Sequence, residues 1–260
     1  MIEKPWGREV LPDIFGDPLG RKIGEIWFSS EDEQPLLAKY IFTSEKLSIQ
    51  VHPNDSEAVE RGLPRGKSEC WLILEADENS TIGVGLRKEV SAAELRASAL
   101  DGSIEQLIDW KPVEAGDFLY VPAGTVHAIG AGISLLEFQQ NADATFRLYD
   151  YGRPRELHLD DGIAVSRPGP YPDGLKQHVE GAETRVLVDG PHFSLVQVGA
   201  SSRANDYLAD QRRWVLPLGG LVTAGDVSAG PGECLLVEAG ELLHAADTRV
   251  LVGAVGALEG

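Results

Sequence analysis

Apolar runs in this chain are short, and glycine or proline separates them almost without exception. Ile26-Trp27-Phe28, Leu36 to Phe42, Leu47 to Val51, Trp71 to Ala76, Phe118 to Val121 and Ile133 to Phe138 are all strand-length, and 29 glycines punctuate the sequence. Short strands bounded by turn signals predict an all-β sandwich or barrel. With 260 residues, 43% of them hydrophobic, the chain can bury one large β core or two small ones. The exception is Glu89 to Trp110. There Ser91-Ala-Ala-Glu94 forms a capping box ahead of Leu95 and Leu100, Asp101-Gly102 stops the helix, and Ser103-Ile-Glu-Gln106 starts another. A short helical insert is expected, with a further helical turn over Asp55 to Arg61.

A second pattern bears on domain organisation. Gly116-Asp-Phe-Leu-Tyr-Val-Pro-Ala-Gly-Thr-Val-His127 and Gly232-Glu-Cys-Leu-Leu-Val-Glu-Ala-Gly-Glu-Leu-Leu-His244 share Gly, an acid, Leu, Val, Ala-Gly and His, with one inserted residue. A repeated strand-turn-strand unit predicts two copies of one β-barrel, residues 1–165 and 166–260, joined by the Pro- and Gly-rich stretch Arg167 to Gly174.

Charge and composition exclude several classes. Lys and Arg number 23 against 41 Asp and Glu, a formal charge of −18 spread along the chain, which disfavours nucleic acid as a partner. Any anionic ligand then needs a local cluster of basic groups. No apolar run approaches the length of a membrane span, so no membrane partner is expected. The opening Met-Ile-Glu-Lys-Pro-Trp-Gly-Arg lacks the pattern of a secretory signal, and only Cys70 and Cys234 are present; a cytoplasmic protein with two packing cysteines is expected.

The chemistry concentrates in three segments. In Leu47-Ser-Ile-Gln50-Val-His52-Pro-Asn-Asp55 the strand period puts Ser48, Gln50 and His52 on one face. In Gly66-Lys67-Ser68-Glu69-Cys70-Trp71, Lys67, Glu69 and Trp71 share a face. His127 follows the turn Pro122-Ala-Gly124. Two imidazoles, one carboxylate and one amide oxygen on inward faces of a small barrel make a divalent metal site, and with one anionic ligand the ion stays a Lewis acid. His158, His178 and His192 have no Glu or Gln at ligand spacing and are expected to be structural. His244 sits in the repeat, but nothing like Gln50-Val-His52 accompanies it, so the second barrel is expected to be a degenerate, metal-free copy.

These segments resemble the class I mannose-6-phosphate isomerases of the cupin superfamily, in a short form. The resemblance rests on Lys4-Pro-Trp-Gly7, Leu47 to Asp55, Gly66-Lys-Ser-Glu-Cys-Trp71, Val121-Pro-Ala-Gly-Thr-Val-His-Ala128 and Leu136-Glu-Phe-Gln-Gln-Asn141 running to Arg147-Leu-Tyr-Asp150, within residues 1–155. It implies a double cupin, two small antiparallel barrels or jelly rolls. It also implies zinc held by Gln50, His52, Glu69 and His127, Arg147 as the catalytic arginine, Lys67 lining the substrate site, and Glu137 near the family's acidic residue. The implied reaction interconverts mannose 6-phosphate and fructose 6-phosphate, with a small-molecule sugar phosphate as partner. The large helical domain of long members is expected to be missing apart from the Glu89 to Trp110 insert, and their C-terminal lysine motif finds no match here.

The residues themselves suit that chemistry. Aldose–ketose interconversion through an enediolate needs an electrophile at the oxygens and a base at the carbon. A metal and Arg147 answer the first need; Glu137 or metal-bound water answers the second. Arg153 and Arg155 read as a solvated surface cluster. Two alternatives stand beside this reading: a metal cupin of another reaction class, such as a dioxygenase or epimerase, and a non-catalytic sugar-phosphate binding module.

Overall fold

The computed structural model describes residues 1–30, 33–179, 181, 183–199, 207–245 and 248–258. The chain is mainly β, with four short α-helices among the described residues, and it divides into two compact units. The first comprises residues 1–9, 18–27 and 39–178; the second comprises residues 10–17, 28–38 and 179–260. No helix among the described residues is long and apolar enough to cross a membrane.

A seven-stranded sheet runs in the order Ile2–Arg8, Ile23–Phe28, Leu36–Phe42, Ile133–Gln140, Glu69–Ala76, Asp117–Val121 and Lys176–His178. A five-stranded sheet runs in the order Phe146–Tyr149, Ile49–Val51, His127–Ile129, Thr81–Leu86 and Ile108–Pro112. Period-two alternation sorts the side chains. Trp71, Ile73, Leu119, Val121, Ile133, Leu135, Ile82, Val84 and Ile129 meet in one core, capped by Trp6. The opposite face of the five-stranded sheet puts Ile49, Val51, Phe146 and Leu148 against Leu95, Ala99, Ile104 and Val165, which come from helices.

The helices form where capping chemistry calls for them. Ala92–Asp101 has the reciprocal capping box of Ser91 and Glu94, and ends on Gly102 at φ 82°. Ile104–Leu107 follows, and Asp55–Val59 carries a second capping box, Asn54 with Glu57. The stretch expected as a linker is built into the first unit: Gly85 bridges Pro170, and the Tyr171 hydroxyl donates to the carbonyls of Tyr120 and Leu175.

In the second unit a five-stranded sheet runs in the order Arg185–Asp189, Phe193–Val198, Val250–Val255, Arg213–Pro217 and Leu235–Val237. A three-stranded sheet runs Val227–Ala229, Val222–Ala224, Leu243–Ala245. Between them Val196, Val198, Val215, Val222, Val237, Leu243, Val250 and Val252 pack together.

Candidate active site and metal centre

Three local features bring the site together in the first unit. Ile49 and Val51 point into the helix-backed core, which turns Gln50 to the other face. Gly66 lets the segment before Glu69 lie against residues 53–55: a Cβ there would stand 2.4 Å from the Asn54 carbonyl carbon. Lys67 N donates to Pro53 O at 3.0 Å, and Gly66 N to Asp55 Oδ1 at 2.8 Å, so Lys67 and Glu69 reach the same place as His52. The Pro122–Gly124 turn, with Gly124 at φ 87°, delivers His127 directly opposite Gln50 across a strand pair.

His52, Glu69 and His127 are fully buried, and their ligating atoms lie within 4.8 Å of one another. His52 Nε2 is 3.4 Å from Glu69 Oε2, and His127 Nε2 is 3.3 Å from Oε1. Each imidazole is anchored through Nδ1, at 2.9 Å from Ala144 O for His52 and from Thr125 O for His127. A carbonyl only accepts, so Nδ1 carries the hydrogen and each neutral ring turns an Nε2 lone pair toward the carboxylate. Burial pushes the His52 pKa down to about 4, helped by the Lys67 ammonium and opposed by Glu69; burial also lowers His127. Neither Glu69 oxygen accepts a hydrogen bond of good geometry, although Lys67 Nζ lies 2.6 Å from Oε2. Lys67 Nζ answers part of this arrangement, at 3.2 Å from His52 Nε2 and 2.6 Å from Glu69 Oε2, while the His127 Nε2 lone pair still faces the Glu69 Oε1 anion. This donor set fits a divalent metal.

Gln50 completes the group. Its amide faces His127 Nε2 at 3.3 Å and accepts from Ser48 Oγ at 3.1 Å. Exchanging amide nitrogen and oxygen puts an acceptor toward the imidazoles and a donor toward Ser48, an equally valid reading of the same side chain.

A second buried group adjoins the first. Glu137 Oε1 lies 2.9 Å from Lys39 Nζ and 3.5 Å from Lys67 Nζ, and Trp71 Nε1 donates to Oε2 at 3.0 Å. Burial by itself depresses the Lys67 ammonium, but Glu137 and Glu69 outweigh it and hold the pKa above the usual lysine range. Glu69 lies well below the usual carboxylate range: burial raises it, and Lys67 and His52 more than reverse that. Arg147 pairs with Gln50 across the next strand boundary and so faces the same side of the sheet; both are half-buried, which leaves the site open there.

All seven residues singled out in the sequence thus lie in one unit, six of them in direct chains of contact and Arg147 beside Gln50. Lys39 escaped the sequence reading. Its signal was there, a single lysine in the otherwise apolar strand Leu36–Phe42. Glu25 also escaped: it is buried beside Trp27, whose Nε1 donates to it at 2.6 Å, and Lys39 and Lys4 bring its pKa down against the burial that raises it. Two other readings change. Arg153 and Arg155 are not a solvated cluster, because both are ion-paired to the buried Asp150. His178, expected to have no acidic neighbour at ligand spacing, ends the strand Lys176–His178 and lies 2.9 Å from Asp117 Oδ1, with Glu114 nearby. Lys176 Nζ occupies the other Asp117 oxygen at 2.8 Å.

Comparison with known proteins converges on one family. No family model matches the chain. YvyI of Bacillus subtilis (strain 168), which bears the mannose-6-phosphate isomerase name, is 38% identical over 238 residues, 74% of this chain and 75% of that protein. The chain belongs to the mannose-6-phosphate isomerase family. The mannose-6-phosphate isomerase of Streptococcus mutans is 41% identical over 169 residues, 62% of this chain and 53% of its own length. The chain thus spans between half and two thirds of some of the family members it matches. In three dimensions, a crystal structure of the Bacillus subtilis mannose 6-phosphate isomerase superimposes with a TM-score of 0.80 at 28% identity, covering 97% of this chain and 96% of that one. A zinc-bound mannose 6-phosphate isomerase shares the fold at a TM-score of 0.73 and 14% identity, covering 98% and 97%.

Proposed function

We propose that this chain is a zinc-dependent isomerase interconverting mannose 6-phosphate and fructose 6-phosphate. The observation that carries the reading is the convergence of two neutral imidazole Nε2 atoms on the buried Glu69 carboxylate, beside a second carboxylate, Glu137, gripped by Lys39, Lys67 and Trp71. Gln50, His52, Glu69 and His127 would hold the ion. When bound, zinc supplies Lewis-acid polarisation of the sugar's carbonyl oxygen.

The chain's own residues supply the rest. Glu137 takes the carbon-bound proton, and its contacts with Lys39 and Lys67 keep a donor within reach for its return to the neighbouring position. Lys67 and Arg147 offer fixed positive charge to oxygens that become anionic in the enediolate. Glu69 and Glu137 are balanced by Lys39 and Lys67, so an added divalent ion leaves the pocket net positive. That local charge suits a phosphorylated sugar against the −18 of the whole molecule.

The division of labour between units is part of the proposal. The catalytic half expected at residues 1–165 carries the metal, and the half expected at 166–260 carries none. His244 is exposed and joins no metal-capable group of His, Cys, Asp and Glu side chains among the described residues. Two free cysteines, Cys70 buried, suit a cytoplasmic location. The test is isomerisation of mannose 6-phosphate measured before and after chelation. Loss on chelation with recovery on adding zinc is expected. Turnover unchanged in fully metal-free protein overturns the metal assignment, and bound sugar phosphate without turnover marks a binding module instead.

A further inference from the structure

The segment after Arg147 is held in a shape that costs free energy. Tyr151, at φ 54°, and Gly152, at φ 79°, are both left-handed, and Arg153 N donates to Asp150 O at 3.0 Å, so residues 150–153 form a tight turn with a non-glycine residue in the disfavoured region. What holds the turn is Asp150. Its carboxylate, only 2% exposed, receives Arg155 Nε at 2.5 Å on Oδ2 and Arg155 Nη2 at 2.7 Å on Oδ1, a two-point clamp, while Arg153 Nη2 lies 2.9 Å from Oδ1. Arg153 also donates to Lys46 O at 2.6 Å, and its guanidinium lies 5.4 Å, and Lys46 Nζ 5.5 Å, from the centre of the Tyr151 ring.

The turn returns the chain to Arg147 itself. The guanidinium Nη1 of Arg147 donates to Glu156 O at 2.8 Å, one residue beyond the clamp. The backbone is tied as well: Arg147 N donates to His158 Nδ1 at 3.1 Å, and His158 N donates to Arg147 O at 2.8 Å. Arg147 Nε is buried with no hydrogen-bond partner among the described residues, so the Glu156 carbonyl is the side-chain anchor that fixes where the guanidinium points.

We propose that Asp150 is a positioning residue for Arg147: by clamping Arg155 and Arg153 it folds the 150–156 turn so that the Glu156 carbonyl aims the Arg147 guanidinium into the site. This rests on the reading of Arg147 as a catalytic group. A flexible arginine beside the substrate would spend most of its time misdirected, and misplacement of a catalytic group by about 1 Å costs up to about a hundredfold in rate.

The test is a double-mutant cycle on the holoenzyme with mannose 6-phosphate, reading kcat, KM and bound metal. Asp150→Asn should lower kcat by about tenfold or more with KM within about threefold and metal retained. Arg155→Ala, on the more exposed side of the clamp, should do the same and stands in if Asp150→Asn fails to fold; Arg155→Lys should restore part of the rate. Neither Asp150→Asn nor Arg155→Ala should lower kcat further once Arg147 is already alanine. If Arg147→Ala is impaired but the clamp variants keep wild-type kcat, or their losses multiply with that of Arg147→Ala, the positioning role is wrong and the Arg147 reading stands. If Arg147→Ala itself turns over at the wild-type rate, the parent reading fails and takes the positioning role with it.

Discussion

His127 and His244 close the same sequence motif in the two units, and their surroundings differ because of one residue. In the first unit the turn glycine, Gly124, is followed at the third position by His127, which opens the strand His127–Ile129 opposite Gln50. In the second unit Gly240 occupies the same turn, also left-handed, but the third position after it is Leu243, which is buried opposite Ala224. His244 comes one residue later and is exposed. Successive strand residues face opposite ways, so a single inserted residue sends the imidazole to solvent and an apolar side chain to the core. The place that holds His127 in one unit holds hydrocarbon in the other, and Val196, Val222 and Val252 fill around it. A histidine in a repeated motif therefore says little about metal until its register is known.

This comparison can be broken from its strong side first. His52→Ala and His127→Ala should each abolish bound metal and isomerase turnover, since too few donors remain around Glu69, while circular dichroism shows the β fold intact. Retention of stoichiometric metal in either variant would place the site elsewhere. Next, Arg147→Ala should keep its metal and lose about 10²-fold to 10³-fold in kcat, with Arg147→Lys recovering part of it, because lysine keeps the charge without the fork. A change confined to KM would make Arg147 an anchor for the phosphate.

The weaker side sharpens the contrast. Replacing Leu243 by His in a His244→Ala background restores the register of the first unit, but Ala224 still stands where Gln50 would, so calorimetric titration with zinc should find no additional site. The smallest effect belongs to His244→Ala alone, which should change unfolding free energy by no more than about 0.5 kcal/mol and leave the metal in place. By comparison Ser91→Ala, which removes the side-chain cap of the helix Ala92–Asp101, should cost about 1 kcal/mol in thermal or denaturant unfolding with no effect on metal.

Why some of the site was legible in the sequence follows from the range of the interactions. Gln50 and His52 advertise themselves through alternation that runs one residue past the strand Ile49–Val51, and Lys67 and Glu69 through alternation leading into the strand Glu69–Ala76, so local period suffices. The helical insert is equally local, since each capping box spans four residues. Lys39 is different: it stands out as the one lysine of an apolar strand, but its partner Glu137 lies on a neighbouring strand almost a hundred positions away, so local sequence does not say what it pairs with. The role of Asp150 was hidden for a related reason. Arg153 and Arg155 look solvated until the left-handed turn at Tyr151 and Gly152 folds both back onto one buried carboxylate. The face of His244 depended on where the strand begins after the turn, which an alignment of motifs with one inserted residue leaves undetermined.

The most direct test is elemental analysis of wild-type protein purified without added metal, alongside the His52→Ala/His127→Ala and His244→Ala variants. The account predicts about one zinc per chain in the wild type and in His244→Ala, and none in the double variant. Stoichiometric metal in the folded double variant, or its loss from folded His244→Ala, would contradict it.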